Sequence, residues 1–398
     1  MKKVFLVLSL IGNFAFGQEI KIESDFPGGN IIISKITQDT AYIKPDLSLN
    51  EREWFHWYFK TLNISGKRVT FKFEQNNVFT KYGPAYSINN DRTWKWYGES
   101  RITNNSFTYS FNEEDTIAYF SVSIPYTEKN FNEFLSNVKN PDLIEKSTLC
   151  LTDEGRKVEK ILISPSGDEP KQRVVITARH HACESSASFV LEGIIESVLN
   201  EKNLEYLREN VEFLILPFMD KDGVENGEQG KYRAPRDHNR DYDSVSLYQT
   251  TATIRNQIPE WGDGKIVMTL DIHSPWVLGG DNETIYMVGV EYSQFEKEQM
   301  KFSHLLEKNA WEDLKYYHKN FMPFGVSWNT NKNYSQGLSF MEWGLTLNGV
   351  LMSTTLEIPF ANVSGATFSA DGGRGFGKTV AYSIKEYLQS ISAKNEFD

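Results

Sequence analysis

Between residues 173 and 357 the chain returns four times to a short, mainly apolar run, at 173–178, 211–216, 265–271 and 350–357. Segments with helical periodicity lie among and after them, at 185–199, 293–314 and 377–390. Strands whose both faces are apolar must be covered by helices on both sides, and strands alternating with helices imply an α/β fold. The expected architecture for 128–398 is therefore a mixed, mainly parallel sheet flanked by helices, led in by a helix at 131–138.

The first third reads differently. From about residue 19 to Thr127 the pattern has period two and is rich in aromatics, as in Trp54-Phe55-His56-Trp57-Tyr58-Phe59 and Arg68-Val69-Thr70-Phe71-Lys72-Phe73. Short strands at such spacing predict an antiparallel β-sandwich over 18–127. A carbohydrate-binding role is one reading of these aromatics, but alternating rings on strands more often pack in the core and across strands. At 398 residues the chain has room for two domains and a large core. The two cysteines, Cys150 and Cys183, provide no disulfide framework.

The N-terminus has the pattern of a secretory leader over 1–17. Lys2 and Lys3 precede an apolar run at 4–11, and the small residues Ala15 and Gly17 precede a cut at Gln18. The expected protein is exported, secreted or periplasmic. No segment approaches the roughly 20 apolar residues of a membrane span. A net charge of -11 without a basic stripe argues against a nucleic-acid partner.

Three of the apolar runs end in residues with chemistry. The first continues into His180-His181-Ala182-Cys183-Glu184, the third into Asp271-Ile272-His273, and the fourth ends in Thr355-Leu356-Glu357. His-x-x-Glu alone occurs by chance. Sites in open α/β sheets lie beyond the carboxyl ends of the strands, so the coincidence of three such ends is the stronger sign. His181, Glu184 and His273 would form a His2Glu zinc site with one position left for water. His180 competes with His181, but spacing and strand phase favour His181. Glu357, a carboxylate outside that set, would take the proton of the water and pass it to a leaving amine. Ligating histidines usually donate their other N–H to a carboxylate, a role for which Asp237 is the better candidate and Asp271 the weaker. Cys183 reads as a third soft ligand or, preferably, as a small filler in a tight turn.

A loop rich in glycine and charge separates the second strand from His273. It contains Asp220-Lys221-Asp222-Gly223-Val224, Gly230-Lys231-Tyr232-Arg233 and Asp237-His238-Asn239-Arg240. An Arg beside an Asn can grip a carboxylate with two prongs, and a further Arg near the metal could stabilise an oxyanion.

Taken together, these residues resemble the zinc metallocarboxypeptidases, the carboxypeptidase A-like family, in which a His2Glu zinc set is known. Ala178-Arg179-His180-His181-Ala182-Cys183-Glu184 is similar to the first zinc motif of that family, and Asp237-His238-Asn239-Arg240 to its Asp-x-Asn-Arg motif. The resemblance implies one Zn2+ per chain on His181, Glu184 and His273, and Glu357 as general base. It also implies Asn239 and Arg240 on the substrate carboxylate, with Asp237 behind a zinc histidine. The Asp-Gly-Val and Tyr-Arg stretches and Ser123-Ile124-Pro125-Tyr126-Thr127 look like the cytosolic-carboxypeptidase branch, whose β-sandwich precedes the catalytic domain. That branch implies Arg233 as the residue polarising the scissile carbonyl.

The chain departs from the pattern in Ala182-Cys183, where Pro-Gly is usual, and in Ser274-Pro275-Trp276 after His273. Arg236 lies close enough in sequence to compete with Arg233. Tyr334 is the candidate for the family's mobile tyrosine. The expected reaction is removal of a C-terminal residue from a peptide or protein with a free carboxylate. An amidase or deacylase acting on small N-acyl amino acids or cell-wall peptides, and a non-catalytic binding protein, are the alternatives.

Overall fold

A computed structural model describes residues 19–395, except residues 51, 53, 166–168, 244, 312 and 313. The expected leader at 1–17 lies outside the described residues. Ten short strands before Thr127 form two five-stranded sheets. One contains Lys21–Glu23, Tyr58–Leu62, Ala85–Ser87, Lys95–Trp96 and Ile117–Ser121; the other contains Ile32–Ile36, Thr40–Lys44, Arg68–Phe73, Ile102–Thr103 and Ser106–Ser110. Every pairing is antiparallel except that of Thr40–Lys44 with Arg68–Phe73, which is parallel.

Alternation explains the packing. Along Arg68–Phe73, Val69, Phe71 and Phe73 are buried while Arg68 and Lys72 are exposed. The inward rings meet across the two sheets, with Phe71 and Phe107 each 5.1 Å from Phe120 between centroids. The aromatics expected to be core are core.

The remaining chain builds a seven-stranded sheet: β1 (Ile144–Leu151), β2 (Lys157–Ile163), β3 (Gln172–Ala178), β4 (Val211–Leu216), β5 (Ile266–His273), β6 (Tyr286–Val288) and β7 (Met352–Glu357). Its order is β1-β2-β4-β3-β5-β7-β6. The central four strands are parallel and the edges antiparallel. From β3 the chain adds β4 on one side and β5 on the other, so the strand order reverses at the end of β3, where α/β sheets open a crevice. In register, Thr177 lies opposite Asp271, and His273 opposite Glu357.

Helices α1 (Glu128–Asn137), α2 (Ser186–Asn200), α3 (Gln249–Gly262), α4 (Ser293–Lys308) and α5 (Ala370–Asn395) accompany this sheet. The β1–β2 hairpin, α3 and β6 were not expected. Helix α4 stops at Lys308, short of residue 314. Leu314 is nevertheless buried. Helix α5 begins at Ala370, before the expected residue 377.

Gly372, Gly373 and Gly377 lower intrinsic helix tendency in the first turns of α5, but the crossing with α2 requires closeness. A Cβ on Gly377 would lie 2.2 Å from the Val190 carbonyl oxygen, and one on Gly193 would lie 2.1 Å from that of Arg374. Among the described residues no helix is long and apolar enough to cross a membrane.

Gly193→Ala tests the crossing. The new methyl meets backbone, which cannot rotate away, so the expected net outcome is a loss of roughly 1–3 kcal/mol of stability, read as a lower midpoint in chemical denaturation.

Candidate metal centre and active site

Strand β3 ends in a turn that only a dense set of contacts can hold. Arg179 takes a left-handed backbone (φ 62°), uncommon for a residue with a side chain. Its buried guanidinium compensates by bonding outward, donating to the carbonyl of Ala182 (3.0 Å from Nε), the hydroxyl of Ser188 (3.0 Å) and the carbonyl of Tyr126 (3.0 Å). The His-x-x-Glu turn is thereby tied both to the start of α2 and to the segment leaving the N-terminal sheets.

The unusual Ala182-Cys183 pair has a physical cause here. Gly230 presses against the turn: a Cβ on it would lie 2.3 Å from the Ala182 nitrogen and 2.9 Å from the His181 Cα. Gln229 donates from Nε2 to Cys183 Sγ (2.9 Å), and its Oε1 accepts from the backbone N–H groups of Phe55 (3.2 Å) and His56 (2.9 Å). Cys183 belongs to the same buried apolar cluster as Phe55, Val277 and Phe360, and to neither metal-competent cluster among the described residues. It is a filler between the turn and the N-terminal sheets.

His181, Glu184 and His273 converge. His181 Nδ1 lies 2.7 Å from Glu184 Oε1, and His273 Nδ1 lies 2.8 Å from Glu184 Oε2. The two Nδ1 atoms are 3.1 Å apart. The far nitrogens face carboxylates: His181 Nε2 is 3.2 Å from Asp237, and His273 Nε2 is 2.6 Å from Asp271. Each candidate carboxylate therefore stands behind one ring: Asp271 is hydrogen-bonded to His273, while Asp237 lies close to His181 Nε2, which makes no hydrogen bond. His180 points elsewhere, between Asp271 (2.8 Å) and the hydroxyl of Tyr242 (2.7 Å), so both its nitrogens are engaged.

Electrostatics follow from this crowding. Burial alone would raise the pKa of Glu184, but His181 and His273 pull it down to about 2. Burial would likewise lower His273, yet the carboxylates of Asp271 and Glu184 hold it well above its ordinary value. Two imidazoles and three ionised carboxylates in one buried cluster offer nitrogen and oxygen donors of the kind zinc takes. Each imidazole has a carboxylate beside its other nitrogen, hydrogen-bonded in the case of His273. The donor set fits a zinc ion.

Glu357 stands beside the set. It is buried, its Oε2 has no hydrogen-bond partner, and burial raises its pKa while His273 and Lys231 oppose the rise. It lines a cavity with His181, His273, Lys231, Asn239, Arg240 and Tyr334, among others. Asn239 is fixed by the Phe340 N–H at its Oδ1 (2.8 Å). Arg240 donates to the Asn333 carbonyl (3.0 Å) and lies 5.0 Å from the Tyr334 ring. Among the described residues no carboxylate lies within ion-pair distance of Arg240.

Arg233, in contrast, is not among the residues lining the cavity. Its guanidinium is held between Asp220 and Glu228. Arg236 pairs with Asp241 at 3.0 Å. Trp276 turns from the cavity to pack on Trp54 (4.6 Å) and Phe55 (5.2 Å). Lys231 lines the cavity and had no assigned role from sequence; the adjoining Gly230, which permits close approach, was the available sign.

Three residues at or beyond strand ends in a His2Glu arrangement, with a buried unpartnered carboxylate oxygen beside them, form a group that could hold a zinc ion. A zinc carboxypeptidase family model matches residues 131–363. The chain belongs to that zinc carboxypeptidase family. Cytosolic carboxypeptidase 6 of Homo sapiens is 28% identical over 92% of this chain and 78% of its own length. Cytosolic carboxypeptidase 3 of Bos taurus is 25% identical over 73% of this chain, and that of Mus musculus 24% over 89%. The matches span only 33% and 38% of those two relatives.

The metallo-carboxypeptidase structure from Burkholderia cenocepacia superposes with a TM-score of 0.75, at 20% identity, covering 94% of this chain and all (100%) of that one. That from Pseudomonas aeruginosa gives 0.71, at 16% identity, covering 93% and 99%. Both establish the fold. The relatives' names also correct the expectation of a secreted or periplasmic protein with a signal peptide. They are named as cytosolic proteins, and an exported location does not stand.

Asp237→Asn and Asp271→Asn are each expected to weaken zinc affinity on the order of 10–100-fold, measured by competition with a chromogenic chelator.

Proposed function

We propose that this protein hydrolyses the C-terminal peptide bond of peptides, using one Zn2+ held by His181, Glu184 and His273. The observation that supports this best is the buried, unpartnered Glu357 oxygen, which shares one cavity with those histidines and with Arg240. When bound, the ion would supply Lewis acidity and a water acidified toward neutrality.

The chain's own residues then divide the remaining work. Arg240, fixed by backbone carbonyls and by Tyr334, offers its fork to the terminal carboxylate, and Asn239 flanks it. That grip sets the last peptide carbonyl against the water. Glu357 accepts the water proton at Oε2 as the water oxygen adds to the carbonyl carbon. The same carboxyl then delivers the proton to the amine nitrogen, and the C–N bond breaks. Burial suits Glu357 to this exchange, because a raised pKa brings the acid and base forms closer in free energy at neutral pH.

Mass spectrometry of a peptide library treated with the zinc-loaded protein tests the reading, with the expected outcome being loss of single C-terminal residues. Glu357→Gln should retain zinc and lose roughly 10²–10⁴-fold in kcat. Arg240→Ala should act mainly by raising KM for peptides with a free carboxylate. Cleavage of N-acyl amino acids without any peptide cleavage would place the activity among small-substrate amidases.

A further inference from the structure

Within the peptidase reading, on which this inference rests, we propose that the Lys231 ammonium, and not the Arg233 guanidinium, stabilises the oxyanion formed on the scissile carbonyl. Two cations line the cavity that holds Glu357, His181 and His273, namely Lys231 and Arg240. Arg233 is committed elsewhere. One of its terminal nitrogens pairs with Asp220 and the other with Glu228, both carboxylates being largely buried. Withdrawing it would strand two buried carboxylates, which is strongly unfavourable.

Lys231 is brought to the site by its neighbours. Gln229 is clamped to Cys183 by its backbone carbonyl, which accepts from the Cys183 N–H at 3.2 Å, and by its side chain at 2.9 Å. Gly230 (φ 82°) then runs against His181, where a side chain of its own would collide. The next side chain in sequence emerges beside the metal ligands. Among the described residues Lys231 has no carboxylate within ion-pair distance, and its Nζ lies 5.8 Å from the centroid of the Trp328 ring. The charge is therefore not neutralised by a salt bridge and has an aromatic wall on one side, which strengthens its action on a developing anion.

The two cations suit different targets. Arg240 is a rigid fork held by backbone carbonyls and matches a planar carboxylate. Lys231 is a point charge on a flexible stem and can follow an oxygen that moves as the carbonyl carbon becomes tetrahedral. Lys231 also acts on Glu357, opposing the effect of burial.

The test measures kcat, KM, zinc content and the affinity of a phosphonate peptide, whose tetrahedral anion mimics the oxyanion. The parent is compared with Lys231→Met, Lys231→Arg and Arg233→Lys. The expected result for Lys231→Met is a fall of about 10²–10³-fold in kcat, a comparable loss of phosphonate affinity, little change in KM, and one zinc retained. Lys231→Arg should recover part of both losses, and Arg233→Lys should not reproduce them.

Parent-like kcat and phosphonate affinity in Lys231→Met would overturn the assignment. So would a loss confined to KM for peptides ending in an acidic residue, since that places Lys231 on the side chain. An equal loss in folded Arg233→Lys would return the role to Arg233. A parent that cleaves no peptide at all overturns the peptidase reading itself, whereas a cleaving parent matched by Lys231→Met overturns only this inference.

Discussion

Asp271, on β5, is bonded from a neighbouring strand, from its own strand and from a turn at once. Thr177 donates from β3 at 2.7 Å, His180 approaches from the turn after β3 at 2.8 Å, and His273 approaches from β5 at 2.6 Å. A carboxylate with no exposure survives only when such bonds replace water. In satisfying itself, Asp271 fixes the His273 ring with Nδ1 toward His181 and Glu184. Thr177 stands opposite Asp271 in the parallel register, so this orientation is set by regular sheet geometry. A ligand positioned by strands is held more closely than one positioned by a loop. The turn carrying His181 needs the additional bracing of Arg179 for the same reason.

Much of this was legible in the chain. Parallel strands buried on both faces leave unbroken apolar runs, and a polar residue at the end of such a run marks the edge of the sheet. His181, Glu184, His273 and Glu357 therefore emerged together. Antiparallel edges leave weaker traces: Ile144–Leu151 reads Ile-Glu-Lys-Ser-Thr-Leu-Cys-Leu, half polar and without a long apolar run, because little of it is covered. Helix α3 was missed for a related reason, since its Thr-rich sequence with Pro259 in the last turn has little intrinsic helix tendency. Of the glycines near the start of α5, Gly373 and Gly377 lie against α2, and a partner nearly two hundred residues away cannot be read from local propensity.

Asp237 and Asp271 show a finer limit. Asp237 was the better candidate and Asp271 the weaker for the carboxylate behind a histidine, but each ring has two nitrogens and each histidine needs its own partner. Chemistry required two such carboxylates, and sequence spacing could not apportion them. His180 and His181 were separated by extending strand phase past the end of β3; both lie in the turn, and it is the turn that sends one ring to Asp271 and Tyr242 and the other to Glu184.

Apart from the sign that Gly230 gave, the placing of Arg233 and Lys231 was not legible locally, because the loop carrying them is shaped from the other end of the chain. The Asn30 side chain donates to the Gly227 carbonyl at 2.6 Å, and Asn50 to that of Lys231 at 2.6 Å. The Gly28 N–H donates to Glu225 at 2.8 Å, and the Ala234 N–H to Leu49 at 2.9 Å. Each bond contributes only about 1 kcal/mol net, but together they restrain residues 225–234 along much of their length. Gln229 completes the link by joining Phe55 and His56 to Cys183. The N-terminal sheets are thus part of how the site is built, and the size of residues 182 and 183 is set by what the loop must press against. A larger pair there would lift Gly230 from His181 and carry Lys231 away with it. The same contact that makes the zinc motif look irregular is the one that delivers a cation to the cavity.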